Sequence, residues 1–228
     1  SEICNRLGKS KIINIQKIFG GSINHSWRID FTDSKFFLKK NDKDQKLLKF
    51  EQHCLADLRK YSNSQNIIIP KVINYFEYEK SEFLLLEWLN LNDLNQKKLG
   101  VGIAELHLNS NKKKPNKFGY PVMGFIGTTQ QIDGWESNWV DCFIKLRIEP
   151  QLSLLKHYSL DINLIDRIKS KIRFHLSDHD PMNCLIHGDL WSGNVSTDIN
   201  EKGIVFDPSC WWADSEVDIA MTRLFGGF

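Results

Sequence analysis

The sequence predicts an α+β fold in two lobes, a β-rich N-terminal lobe over residues 1–89 and a mainly helical C-terminal lobe over residues 90–228. Three observations carry this. Short apolar runs bounded by Gly, Asn, Asp and Pro crowd the first 87 residues around a single helical pattern. Helical periodicity dominates after Asn90-Leu91-Asn92. With 228 residues, 41% hydrophobic and 25% charged, the chain is long enough for one large domain or two small lobes.

Taken in order, residues 12–19 read as a strand, Gly20-Gly21-Ser22 as a turn, and Trp27–Phe31 as a second strand by alternation. Thr32-Asp33-Ser34 is turn chemistry, and Phe36-Phe37-Leu38-Lys39 is the third strand of a meander. Leu47, Phe50, Cys54, Leu55 and Leu58 recur at helical spacing within a helix expected from Lys43 to Lys60. Ile67–Ile69, Val72–Phe76 and Phe83–Glu87 read as strands. In the second half, residues 97–109, Trp135–Ile148 and Ile162–Leu176 read as helices, and Asn111–Gly127 as a loop. The Trp135, Trp139 and Phe143 stripe reads as core, and His107 at a helix end as structural.

Composition excludes several classes. Thirty Lys+Arg against 28 Asp+Glu leave a net charge of +2, which provides no strong electrostatic footprint for nucleic acid or an anionic membrane. Five scattered Cys without C-x-x-C suit neither a disulfide framework nor a thiolate zinc site; they fit reduced thiols. The polar N-terminus and the lack of a long apolar run lead to the expectation of a cytoplasmic protein. The chain stops at Gly226-Gly227-Phe228 without a polar tail, so further C-terminal sequence is expected.

The segment richest in chemistry is His187-Gly188-Asp189-Leu190-Trp191-Ser192-Gly193-Asn194. Its H-x-D followed by Asn five residues after the Asp has the spacing of a kinase catalytic loop. Asp189 can orient a hydroxyl and accept its proton, and Asn194 can offer Mg²⁺ a neutral oxygen. Val195-Ser196-Thr197 and Ile204-Val205-Phe206 flank a polar turn and read as a hairpin, which carries Asn194 and Asp207 to its open end as a metal pair. In the first half, the amides of Gly20, Gly21 and Ser22 can fold over phosphates, and Lys39 sits on a strand suited to reach them, with Lys40 on the opposite face. Glu51 on the following helix is the candidate partner of Lys39. The backbone of Glu87-Trp88-Leu89, between the lobes, can present an edge for adenine. No G-x-x-x-x-G-K-[ST] occurs, which excludes a P-loop NTPase.

These residues resemble the fructosamine kinase (ketosamine kinase) family, within the aminoglycoside-phosphotransferase-like kinases. The likeness rests on the 187–194 segment, whose Leu-Trp-Ser-Gly insert is specific. It extends through Phe19–Asn24, Phe37-Leu38-Lys39, Ile103–His107, Trp135 with Trp139 and Arg147, Phe206–Ser209 and Glu216–Ala220. The resemblance implies a bilobal protein-kinase-like fold and ATP- and Mg²⁺-dependent phosphorylation of a sugar hydroxyl on fructosamines or ribulosamines, a deglycation repair. It implies Asp189 as base, Asn194 and Asp207 as metal ligands, and Lys39 on the phosphates paired with Glu51. It also implies Asp218 as a buttress of the loop, and Trp191, Trp211, Trp212 and Asp214 near the sugar. Family members run beyond this chain's end, the spacing before Glu51 is a residue or two short, and Ser22 stands where some relatives carry a redox-active Cys. Alternatives of the same fold are an aminoglycoside or choline kinase, or an inactive nucleotide-binding scaffold. The expected partner is a free or protein-bound ketosamine, with the chain a monomer or weak homodimer.

Overall fold

The structure, a computed structural model, describes residues 2–8, 11–19, 24–42, 45–93, 95–155 and 161–228. A short helix α1 (Glu2–Leu7) precedes a five-stranded antiparallel sheet. Its strands are β1 (Asn14–Ile18), β2 (His25–Asp30), β3 (Lys35–Asn41), β5 (Val72–Tyr78) and β6 (Ser81–Glu87), in the order β1-β2-β3-β6-β5. Helix α2 (Leu47–Tyr61) and a two-residue strand β4 (Ile67–Ile68) lie between β3 and β5 in the chain.

Strand alternation divides this sheet between two cores. Ile29, Phe36, Leu38 and Leu85 pack on one face, with Ile3 and Leu7 of α1 against them. Leu84, Leu86 and Phe37 face the other way, into a larger core shared with α2 and the second half of the chain. Lys39 has the parity of Phe37, so the pleat itself turns it toward α2.

Helix α2 lacks a side-chain cap of its own, because Lys46 at its start is left-handed (φ 56°) and provides none. The cap comes from β6. Glu82 accepts hydrogen bonds from the amides of Lys49 (3.1 Å) and Leu48 (3.4 Å), and its negative charge complements the helix N-terminus. Glu82 is itself buried and takes a hydrogen bond from the Tyr75 hydroxyl at 2.9 Å.

The second half opens with α3 (Gln96–Asn111), capped by the Asn95 side chain, which accepts from the Lys98 amide. The expected loop 111–127 is not a plain loop. It contains β7 (Phe118–Tyr120) and β8 (Gly124–Ile126), followed by β9 (Thr129–Gln131) and β10 (Gly134–Glu136). The expected helix from Trp135 starts instead at Trp139. Trp135 lies on β10, paired with Gly119, and the Asn138 side chain caps α4 (Trp139–Phe143). The reason is a backbone approach no periodicity reports. Gly119 has φ 128°, and a Cβ on it would lie 2.0 Å from the Gly134 carbonyl, so β7 and β10 meet where only glycine fits.

A π-helical turn (Ile144–Ile148) continues α4 into α5 (Glu149–Leu154), and α6 (Ile162–Leu176) has the bounds the sequence predicts. Next come β11 (Asn183–Ile186), a 3₁₀ turn (Ser192–Asn194), the hairpin β12 (Val195–Thr197) and β13 (Gly203–Val205), β14 (Trp211–Asp214) and α7 (Glu216–Met221). Strands β10-β7-β14-β11 form one sheet, and β12-β13-β4 another. In the latter, β4 pairs parallel with β13, so a strand of the first half is stitched to the second.

Removal of the tertiary cap should be visible in stability. Glu82→Ala is expected to cost about 1–2 kcal/mol, the scale of a lost N-cap, or roughly 2–8 °C in a melt of a chain this size. Circular dichroism melting checks it; an unchanged Tm would show that the cap contributes nothing.

Candidate active site

The loop after β11 is built around one buried carboxylate. Asp218 on α7 is fully buried and accepts hydrogen bonds from the amides of His187 and Gly188, both at 2.8 Å, while His107 Nε2 lies 2.9 Å from it. Burial pushes this carboxyl up, but the hydrogen bond and charge of His107 and the loop amides outweigh burial and hold it below the usual range. Gly188 (φ 80°) permits the turn: a Cβ there would sit 1.9 Å from the Ser209 carbonyl. The following segment is tied back, with the Ser209 amide donating to His187 O at 2.8 Å and the Ser209 hydroxyl to Phe125 O at 2.6 Å.

His187 is buried and held neutral, since burial pushes its pKa down. The Asp189 amide donates to its Nδ1 at 3.3 Å, so the ring proton sits on Nε2, 3.1 Å from the Phe206 carbonyl. His187 therefore connects the loop to the strand that delivers Asp207.

Asp189 follows on the loop. Asn194 Nδ2 donates to its side chain at 2.9 Å and to its backbone carbonyl at 2.8 Å, closing the loop on itself. Burial pushes the Asp189 carboxyl up; His187 and Asn194 pull against this, and Asp207 adds to it. The Phe206 amide donates to Asn194 O at 3.1 Å, so Asp207 lies one residue beyond the hairpin partner of Asn194. Asp207 is left-handed (φ 57°), a conformation Asp tolerates at modest cost.

The first half completes the cluster. The Lys39 ammonium is buried, lies 2.7 Å from Glu51 Oε1 and also pairs with Asp207. Burial disfavours its charge, but the two carboxylates more than offset this and raise its pKa. Glu51, buried as well, is pushed up by burial. Lys39, Glu51, Asp207, Asn194 and Asp189 thus form one connected set from four separate segments. The backbone of Glu87 donates to Lys71 O at 3.0 Å at the end of β6, and Leu89 is half-buried beyond it. Gly20, Gly21 and Ser22 lie outside the described residues.

The aromatic residues divide. Trp191 covers Gly193 and meets Phe225 edge-on with centroids 5.2 Å apart. Trp211 lies beside Gly188, stacks on Trp139 with centroids 5.6 Å apart, and has the Arg147 guanidinium over its ring at 4.0 Å. Trp212 points to the opposite face of β14 and packs on Tyr61, and Asp214, at the strand end paired with Asn183, contacts His179 at 2.5 Å. The structure brings Trp191 and Trp211 to the loop, but not Trp212 or Asp214. Conversely, His107 touches Asp218 directly; the His at the end of the Ala-Glu-Leu-His stretch was the only sequence signal for it. A surface hollow of about 550 Å³ lined by Asn92, Asp93, Thr197, Asp198 and Glu201 lies at the turn end of the hairpin, opposite the end with Asn194 and Asp207.

Known proteins resemble this chain over most of its length. The protein of Vibrio vulnificus named "Probable ketoamine kinase" is 35% identical over 222 residues, 95% of this chain and 75% of the relative. A counterpart of the same name from Synechocystis is 31% identical over 216 residues, 93% of this chain and 72% of the relative. A crystal structure from Haemophilus somnus 129PT, named for fructosamine-3-kinase, superposes with a TM-score of 0.85 at 30% identity, covering 99% of this chain and 76% of that one. An aminoglycoside phosphotransferase superposes at 0.62 with 16% identity, over 96% of this chain and 74% of that one, which shows a shared kinase-like fold. Among the described residues no helix is long and apolar enough to cross a membrane. The sequence model of the fructosamine kinase family matches residues 1–228, and the chain belongs to that family of ATP-using phosphotransferases.

Proposed function

We propose that this chain phosphorylates a sugar hydroxyl of fructosamines or ribulosamines and so serves the repair of glycated amines. The observation that carries the reading is the convergence of Lys39, Glu51 and Asp207 with the Asp189–Asn194 loop that Asp218 holds in place. Each residue then has a task that its surroundings suit.

Asp189 receives the acceptor hydroxyl and its proton. The burial that raises its pKa makes it a better base than an exposed aspartate, and the Asn194 amide fixes its orientation. Lys39, fixed by Glu51, binds the phosphates of ATP, with the Gly20-Gly21-Ser22 turn over them and the Glu87–Leu89 backbone beside the adenine. Asp207 and Asn194 are hard oxygen donors on adjoining strand ends. The Asn194 nitrogen is spent on Asp189, which leaves its oxygen as the end for a cation, and Asp207 is 47% exposed in its side chain. This pair fits Mg²⁺, which takes one or two protein oxygens beside the phosphates; bound there, Mg²⁺ would neutralise the charge that develops on the transferred group. Trp191 offers the sugar an aromatic face.

Asp189→Asn is expected to retain ATP binding and lower kcat by about 10²-fold or more, the scale of a lost general base. In the intact enzyme, Asp189 must be ionised to act. With its pKa raised, kcat/KM should fall on the acid side at a pH above the ordinary aspartate value of 3.8. Near-normal turnover of the variant, or an acid limb at or below that value, would remove Asp189 from the role.

Asp207→Ala is expected to abolish Mg²⁺-dependent turnover, whereas Asn194→Ala raises the Mg²⁺ concentration needed for half-maximal rate. A complex with Mg²⁺ and an ATP analogue in which either side chain turns away from the ion would refute the metal pair.

Trp191→Ala is expected to raise KM for a ketosamine by about 5–150-fold, the burial of one aromatic side chain, with little change in KM for ATP. Steady-state kinetics with both substrates varied, after a melt confirms folding, measures this; equal shifts in both KM values would make Trp191 a packing residue.

A further inference from the structure

One imidazole and two carboxylates gather away from the catalytic loop. Strand β14 ends at Asp214, paired with Asn183 where β11 begins, and β11 leads from there to His187. This is the end of the two strands remote from Asp189. His179 comes from the segment before β11, and Glu216 is the first residue of α7. One ligand atom from each of His179, Asp214 and Glu216 lies within 4.8 Å of the other two. His179 Nε2 sits 2.5 Å from Asp214 Oδ2, and the Glu216 amide donates to Asp214 Oδ1 at 3.2 Å. Asp214 is buried, whereas the half-buried His179 and the exposed Glu216 leave the group open to solvent on one side.

A second, independent feature lies in the same row of the sheet. Asn183, the cross-strand partner of Asp214, is 4% exposed, and among the described residues its buried Oδ1 has no hydrogen-bond partner. Directly paired residues project to the same face, so this carboxamide shares a face with the Asp214 carboxylate. Its nitrogen donates to Pro115 O at 3.0 Å and Lys117 O at 3.1 Å. Those two carbonyls precede β7, which flanks β14 on the side away from β11. The Asn183 side chain therefore reaches across the end of β14, where Asp214 stands. The two carbonyls also fix which way round the amide lies, because only its nitrogen can donate to them. Its oxygen is left as a buried acceptor without a donor, which is costly.

We propose that His179, Asp214 and Glu216 bind a Zn²⁺ ion, with a water in the fourth position that donates to Asn183 Oδ1. Imidazole beside carboxylate oxygen is a donor set that zinc accepts, and the two carboxylates balance its charge. Bond lengths of about 2.0–2.2 Å in a tetrahedral shell put neighbouring ligand atoms roughly 3.3–3.5 Å apart. The His179–Asp214 contact then opens by about 1 Å, and the exposed Glu216 side chain closes onto the ion. The site is structural. It ties the segment before β11 to the end of β14 and to α7, and Asp218, which holds the catalytic loop, stands two residues after Glu216. The ion thus clamps the frame of that loop from its far end.

Zinc chloride is titrated calorimetrically into the chelator-treated full chain, as wild type, H179Q and E216Q, each first checked by a melt. Excess Mg²⁺ and a non-hydrolysable ATP analogue are present, so that Asn194 and Asp207 do not compete for zinc. The wild type is expected to take up one equivalent. Each variant is expected to bind it more weakly by at least the 10- to 100-fold that loss of even an outer-shell partner costs. Zinc at a hundredfold excess over its Kd is expected to raise the wild-type Tm by about 5–11 °C. An anomalous map at the zinc edge is expected to show the ion within about 2.0–2.2 Å of all three ligand atoms. Absence of a one-equivalent event, an affinity that survives in either variant, or an ion found on a cysteine sulfur instead would overturn the assignment and leave His179 and Asp214 a plain ion pair. If H179Q does not fold, E216Q, changed at an exposed position, and the map decide the matter. None of these readouts needs turnover, so the site stands or falls apart from the reaction proposed above.

Discussion

The structure turns on a single buried ammonium. Lys39 sits inside a sheet whose neighbours are Leu84, Leu86 and Phe37, a place where a lone charge would cost several kcal/mol. It is tolerated because two carboxylates meet it, Glu51 from α2 and Asp207 from beyond β13. These three groups come from the sheet, the helix and the second half of the chain. The ion pair therefore ties the sheet, helix α2 and the second half of the chain to one point. The cap by Glu82 serves the same end, because it fixes the N-terminus of the helix that carries Glu51.

A second buried charge organises the opposite side. Asp218 has no exposed surface, yet its carboxyl is held ionised by His107 and by two loop amides. Those amides belong to His187 and Gly188, so the backbone that presents Asp189 is oriented by electrostatics rather than by packing. His187 relays this order to the Phe206 carbonyl, and Ser209 returns it to His187 O. Asp189 and the Asp207 strand end are thus held in one hydrogen-bonded framework. In the kinase function proposed above, this fixed spacing matters because phosphoryl transfer is governed by positioning and charge more than by covalent chemistry.

Much of the site was legible in the sequence because local rules govern it. The spacing from Asp189 to Asn194 closes a loop, the hairpin brings Asp207 beside it, and strand parity puts Lys39 and Lys40 on opposite faces. The short strands β7 and β10 were not legible. Each has three residues, too few for a period, and their pairing depends on a contact between Gly119 and Gly134 that neither segment announces by itself. The spacing of Trp135 to Trp139 imitates one helical turn, yet Trp135 lies on β10.

By itself, the sequence determined the α+β class, the bounds of helix α6, the opposite faces taken by Lys39 and Lys40, and the grouping of Asp189, Asn194 and Asp207. All of these follow from backbone periods of 2 and 3.6 residues and from short-range turns. Only the tertiary structure decided which residues at a distance share a charge. It gave Asp218 to His107, set Arg147 against the ring of Trp211, and joined β4 to β13. It also parted Trp211 from Trp212: adjacent in the chain, they face opposite ways along β14, one toward Gly188 and the other toward Tyr61. Nearness in sequence fixes side-chain direction only once the strand is known, and that strand exists because β11 and β7 flank it.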